Sequence, residues 1–344
     1  MKGLIKNFDP GYFAFVMATG IISIACHLLG MQGTASALFA VNRAGWAVVF
    51  VLFLIRSLII PSGLAQEAGR MGGASMFTIV AGTCILGSQY AVIRGDLGAA
   101  LPLWIAGFIL WAVLIYAFFF FLVAGGPGEA AFESGFDGSW LIFVVGTQSV
   151  AVLAALLSEG LAKKPFFLFV SLSMYLLGSV LYIVLTGLIF YRMFFFALPP
   201  GKLSPAYWIN MGAAAITTLS GALLLRNSGR WDFLLSGVAP FLKGFTLLFW
   251  VAATWWIPLL AALNIWKYLR GARPSYDVRM WSMVFPFGMY PACTYELGRA
   301  AGLGFLLPIA EWAVYVALAA WAMVFAGLLK RIFLFLFFLL KGIN

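Results

Sequence analysis

Very few side chains in this sequence could carry out chemistry. There is one histidine, His27, and there are three cysteines, Cys26, Cys84 and Cys293. One histidine cannot build a zinc site, and no His-Glu-x-x-His, Gly-x-Ser-x-Gly or Gly-x-x-x-x-Gly-Lys-Ser/Thr sequence occurs. Metal-assisted hydrolysis, acyl transfer and nucleotide-driven pumping therefore lack the groups they need. No enzyme activity, metal or cofactor is expected. Glu296 and Arg299 stand three residues apart, a spacing that lets them pair on one helix face, and they are the candidate ionic pair. His27 follows Gly20 and Ser23 at helical spacing. It could relay protons, or simply be a hydrogen-bonded histidine near the end of a span.

What could position these groups follows from composition. Of 344 residues, 64% are hydrophobic and 9% charged. A soluble chain carries about 25% charged residues, so most of this surface does not meet water. Apolar runs of the ~20 residues needed to cross a bilayer recur along the chain. Ten spans are read: 12–29, 44–60, 75–93, 99–123, 140–157, 165–191, 207–225, 241–266, 280–303 and 308–329. The first is longer than a signal-peptide core and is read as a retained span. No soluble domain fits between spans, so residues 1–344 form a single transmembrane domain in a lipid bilayer. The apolar stretch 332–340 is too short to cross, and 330–344 is read as a short cytoplasmic or interfacial tail.

The net charge of +10 does not imply nucleic acid, because the basic residues are scattered over the connections. With the N-terminus inside, thirteen Lys and Arg fall on the inner side and seven on the outer. This asymmetry predicts both termini cytoplasmic in an inner (plasma) membrane.

The odd-numbered spans share a pattern. Each has a glycine near its middle: Gly20 beside Thr19, Gly82 beside Thr83, Gly146 beside Thr147, then Gly212 and Gly288. Their spacing fits five tandem helical hairpins entering the membrane in one direction, which implies an axis along the membrane normal. The odd spans hold sixteen Ser, Thr, Asn or Gln in 98 residues and the even spans eight in 117. Lipid cannot hydrogen-bond such groups, so the odd spans are predicted to form an inner ring around a central pore. Small and hydroxyl residues also pack helices without any pore. The candidate pore-lining residues are Thr19, Gly20, Ser23, Gly82, Thr83, Gly146, Thr147, Ser149, Gly212, Thr217, Pro286 and Gly288. A path of hydroxyls and backbone would hold anions loosely, which suits conduction, and no carboxylate ring for cations is visible.

Three stretches carry a resemblance. Phe15-Val16-Met17-Ala18-Thr19-Gly20-Ile21-Ile22-Ser23, Val145-Gly146-Thr147-Gln148-Ser149 and Trp281-Ser282-Met283-Val284-Phe285-Pro286 resemble, in order, motifs of the tellurite-resistance/dicarboxylate transporter family. That family includes the plant slow-type anion channels. The resemblance implies five hairpins about a pore, a homotrimer, and a pore-blocking phenylalanine in the ninth helix, which maps to Phe285. It also implies small anions as partners. The expected function is a chloride- or nitrate-like anion channel. The alternative is a proton-coupled carrier or exporter of a malate-like dicarboxylate, sulfite or tellurite.

Overall fold

The computed structural model describes residues 8–60, 71–126, 135–196, 203–231, 236–271 and 276–341, with isolated positions between them. Among these residues there are ten long helices and no strand. They are α1 Phe13–Leu28, α2 Gln32–Ile59, α3 Phe77–Gln89, α4 Leu97–Gly125 and α5 Ile142–Leu157. The second half comprises α6 Lys164–Phe195, α7 Ile209–Arg226, α8 Gly237–Leu269, α9 Trp281–Ala300 and α10 Leu307–Lys341. Nine of the ten helical stretches are long and apolar enough to cross a membrane. The exception, α9, contains Pro286, Pro291, Glu296 and Arg299, which dilute its hydropathy. The chain is an all-α integral membrane protein.

Three of the inner helices begin alike. Asp9, Asp137 and Asp277 each accept a hydrogen bond from a backbone N–H two residues on, at 2.8–2.9 Å, and a short 3₁₀ turn leads into α1, α5 and α9. Such side chains satisfy donors that a helix start leaves open. A hydrogen bond from Arg279 holds the Asp277 carboxyl below its ordinary pKa. Ser204-Pro205 opens the turn before α7, with proline where its missing N–H costs nothing.

Packing sorts the helices into two sets. α1 packs on α3, α3 on α5, α5 on α7, α7 on α9, and α9 back on α1, which closes a ring of five. Each even helix packs against its hairpin partner and also against the next inner helix: α2 on α1 and α3, α4 on α3 and α5, and so on to α10 on α9 and α1. The most apolar stretch of 138–157, around α5, is 100% buried, against 22% for 97–125 of α4. One set therefore is enclosed by protein, and the other turns a face outward.

Two boundaries differ from the sequence reading. α2 starts at Gln32 rather than at Ala44. Asn42 and Arg43 do not interrupt it, because Asn42 is buried and donates to Gln89 at 2.6 Å while Arg43 lies over the Phe39 ring. The chain also does not break after Leu329, since α10 runs on to Lys341 as one helix of 35 residues. At 1.5 Å per residue this is about 50 Å, longer than a ~30 Å hydrocarbon core. Lys330 and Arg331 are exposed on its surface, and Arg331 sits over the Tyr276 ring. Long basic side chains leave a helix intact where they reach polar surroundings. Lys2, Lys6, Arg70, Lys202 and Arg273, all used in the charge count, lie outside the described residues.

Candidate functional site

The five inner helices line a cavity, with space for water of about 30 Å³. A water needs roughly 10–15 Å³ on this measure, so the cavity admits about two. Its walls repeat. Ile21, Ile24 and Leu28 come from α1; Ile85, Ser88 and Val92 from α3 and the turn that continues it; Ser149, Val152 and Leu156 from α5; Ile216, Leu219 and Leu223 from α7. Each triplet is i, i+3, i+7, one helical stripe. α9 contributes Met289 and Glu296, the first and last members of the same stripe. The stripe spans seven residues, about 10 Å of depth. Apart from Ser88, Ser149 and Glu296 the wall is aliphatic or thioether.

One turn before each stripe, at i−4, stand Met17, Ala81, Val145, Gly212 and Phe285. All five are buried, and Phe285 is 0% exposed. Four of these side chains are smaller than phenylalanine's or absent, and Phe285 is the one aromatic ring in the tier. A Cβ on Gly212 would fall 3.1 Å from the Phe285 ring and 2.8 Å from that of Pro286. The missing side chain of α7 thus receives both residues of α9. Phe287, two residues on and about 200° around the helix, packs instead against Trp208 with centroids 4.8 Å apart.

The other candidate lining residues are placed differently. Of the twelve, only Ser149 lines the cavity. Thr19, Thr83 and Thr147 accept hydrogen bonds from the indole N–H of Trp321, Trp46 and Trp111 at 2.9, 3.1 and 2.8 Å. Thr294 on α9 receives the same bond from Trp250 at 3.0 Å. In four of five positions an outer helix therefore clamps the following inner helix through Trp and Thr, and the threonine hydroxyls face the outer ring. Ser23 donates to the Ala35 carbonyl of α2, and Thr217 to the Ala213 carbonyl of its own helix. A hydroxyl-lined path does not describe this cavity: in a bilayer these hydroxyls bond to helices rather than remaining free.

The glycines serve close packing. An added Cβ on Gly20 would meet Ile85 of α3, on Gly82 the start of α1, on Gly146 Phe77 of α3, and on Gly288 Ile21 and Ile22 of α1. Each faces a neighbouring inner helix, as small residues do where membrane helices approach closely.

Glu296 does not pair with Arg299. The Arg226 Nη1 of α7 donates to both Glu296 oxygens at 2.8 Å, and its Nε and Nη2 donate to Glu159 at 3.2 and 2.5 Å. Arg299 is exposed whereas Glu296 is buried, and Arg299 acts on Glu296 only through its charge. The Glu296 side chain is 7% exposed, against 36% for Arg226 and 32% for Glu159. The cluster runs from the surface to the mouth of the cavity. His27, half-buried at the end of α1, is not among the cavity-lining residues.

Residues 7–329 match the voltage-dependent anion channel (SLAC1) family model, nearly the whole chain. The protein belongs to that family. A sulfite efflux pump, SSU1, of Arthroderma otae is 23% identical over 350 residues, covering 94% of this chain and 90% of the pump. An uncharacterized transporter of Methanocaldococcus jannaschii is 24% identical, with 88% of each chain covered. An uncharacterized membrane protein of Mycobacterium tuberculosis is 37% identical over 154 residues, 44% of this chain and 77% of that protein. As a SLAC1-family protein this chain is a multi-pass membrane transporter or channel for small anions.

The sequence reading missed the tryptophan clamps and the Arg226–Glu159 contacts. One signal for the clamps was present. Trp111, Trp250 and Trp321 stand well inside the outer spans read from the sequence, whereas membrane tryptophans concentrate at the interfaces; Trp46 drew no notice because its span was read from Ala44.

Proposed function

We propose that this SLAC1-family protein is a passive anion channel in the inner (plasma) membrane, with both termini cytoplasmic. Small anions, chloride- and nitrate-like, move along the axis of the inner ring, and Phe285 closes that axis at rest. The observation that carries the reading is the stripe repeated on all five inner helices, which converges on the cavity and, one turn deeper, on Phe285. An aliphatic wall with an aromatic floor is a dry constriction, which an ion needing its hydration does not cross. The fivefold stripe needs no second subunit, so each chain of the homotrimer expected from the family resemblance holds a whole path.

One observation favours a second reading. Sulfite efflux pumps match this chain over 94% of its length, which supports export of sulfite or a related oxyanion or dicarboxylate, with proton coupling as the part of this second reading that the flux experiment decides. Flux of chloride, nitrate, sulfite and malate from liposomes holding the purified protein separates the two. A channel gives electrogenic flux that follows the anion gradient and is indifferent to a proton gradient. A carrier gives flux stoichiometric with protons. Folded protein that passes none of the four anions above empty liposomes would rule out both.

A further inference from the structure

The Arg226 cluster sits where an anion would enter the cavity from the α7 and α9 ends. Its composition is unfavourable for such a place. Two carboxylates occupy one guanidinium, so Arg226 has no free charge to draw in what is meant to pass, and the exposed Arg299 only balances the second carboxylate. Stability does not explain it, because a buried ion pair adds little over apolar packing of the same volume. Glu296 also belongs to the cavity stripe, at the seventh position after Met289, where the other four helices place leucine or valine. A carboxylate in that tier, held by both oxygens on one Nη, has the geometry of a bound carboxylate ligand.

Resting on the channel reading above, we propose that Arg226 is the outer anion-binding residue and that Glu296 is a tethered substitute for the anion. An entering anion takes the place of the Glu296 carboxylate on Nη1. Glu159 keeps hold of Nε and Nη2, so the guanidinium stays aimed while its inner edge changes partner. The displaced carboxylate remains beside groups that are about one-third exposed, where water reaches it. A guanidinium edge matches ligands with two or more oxygens better than a spherical halide. The site should therefore favour planar or pyramidal oxyanions, nitrate among them, over chloride.

The test uses full-length protein with nitrate and chloride as probes, by liposome flux and by anion-dependent unfolding temperature in detergent. Glu296→Gln frees Arg226 and is expected to lower the half-saturating nitrate concentration about tenfold, equivalent to ~1.4 kcal/mol. Arg226→Gln is expected to raise it by a similar factor. Arg226→Lys, which keeps the charge without the fork, should fold and lose the preference for nitrate over chloride. Shifts in the same direction for Glu296→Gln and Arg226→Gln, or none in folded protein, would reduce the cluster to a structural bridge. The unfolding readout separates this proposal from the channel reading. Absent flux from the parent defeats the channel, whereas nitrate that stabilises parent and Arg226→Gln protein equally defeats the site.

Discussion

Phe285→Ala is expected to raise anion flux at least about tenfold at the same voltage and anion gradient. On the proposed reading the ring closes the tier below the cavity, where the other positions are Met17, Ala81, Val145 and Gly212. If the ring does close that tier, removing it joins the void it leaves to the existing cavity and opens the path to water. Tenfold corresponds to ~1.4 kcal/mol off the barrier, a small part of what a dry aromatic constriction imposes on an ion. The same substitution deletes a fully buried side chain, which costs about 3–5 kcal/mol in a soluble core, so lower thermal stability should accompany the gain. Phe287→Ala is the matched control. Its ring packs on Trp208 away from the stripe, so stability should fall and flux should not rise. Single-channel or liposome currents of the two variants at equal protein incorporation measure the difference. Equal currents from Phe285→Ala and parent would remove the ring from the path.

Gly288→Val is expected to be among the most destabilising single changes in the inner ring. A Cβ there overlaps Ile22 of α1, and the backbone nitrogen of Ile22 lies 3.2 Å away, so repacking one side chain gives no relief. The substitution drives α9 from α1, and that contact closes the ring. Overpacking of a tight site costs about 1–3 kcal/mol, and more when backbone must move. Gly187→Leu, with nothing within 4 Å of its would-be Cβ on the exposed side of α6, should be neutral. Thermal unfolding in detergent separates the two, and flux should be lost in Gly288→Val alone. An unchanged unfolding temperature for Gly288→Val would mean the inner helices are farther apart than described.

Much of the architecture was legible in the sequence, because lipid imposes a strong rule: polar and small residues must turn inward. The count that set odd spans against even ones worked because it compared whole helices. It could not say which face of a helix a hydroxyl occupies, and there it misled. Thr147 looks alike in a sequence whether it lines water or accepts from Trp111, and the difference is a rotation about the helix axis. The stripe was visible in principle, since Ile21, Ile85, Ser149, Ile216 and Met289 recur at nearly constant intervals, but aliphatic residues in a membrane span draw no notice. Glu296 was paired locally with Arg299 because i, i+3 is the pairing a single helix shows. Its actual partner, Arg226, lies 70 residues earlier and meets it only because α7 and α9 are ring neighbours. Phe285 reached the candidate set through the family resemblance. Its helix register and the facing Gly212 are independent physical grounds for its position.

The axis itself is tested most directly by substituted-cysteine accessibility along α5. Cysteines at positions 156, 152, 149, 147 and 145, in a background without Cys26, Cys84 and Cys293, are exposed to a negatively charged thiol reagent from the side of the cavity mouth. Positions 156, 152 and 149 should react and block anion flux. Position 145 should react only when Phe285 is also alanine, and position 147, turned toward Trp111, in neither background. Block through position 147, or free reaction at 145 with Phe285 in place, would contradict a path along this stripe closed by that ring.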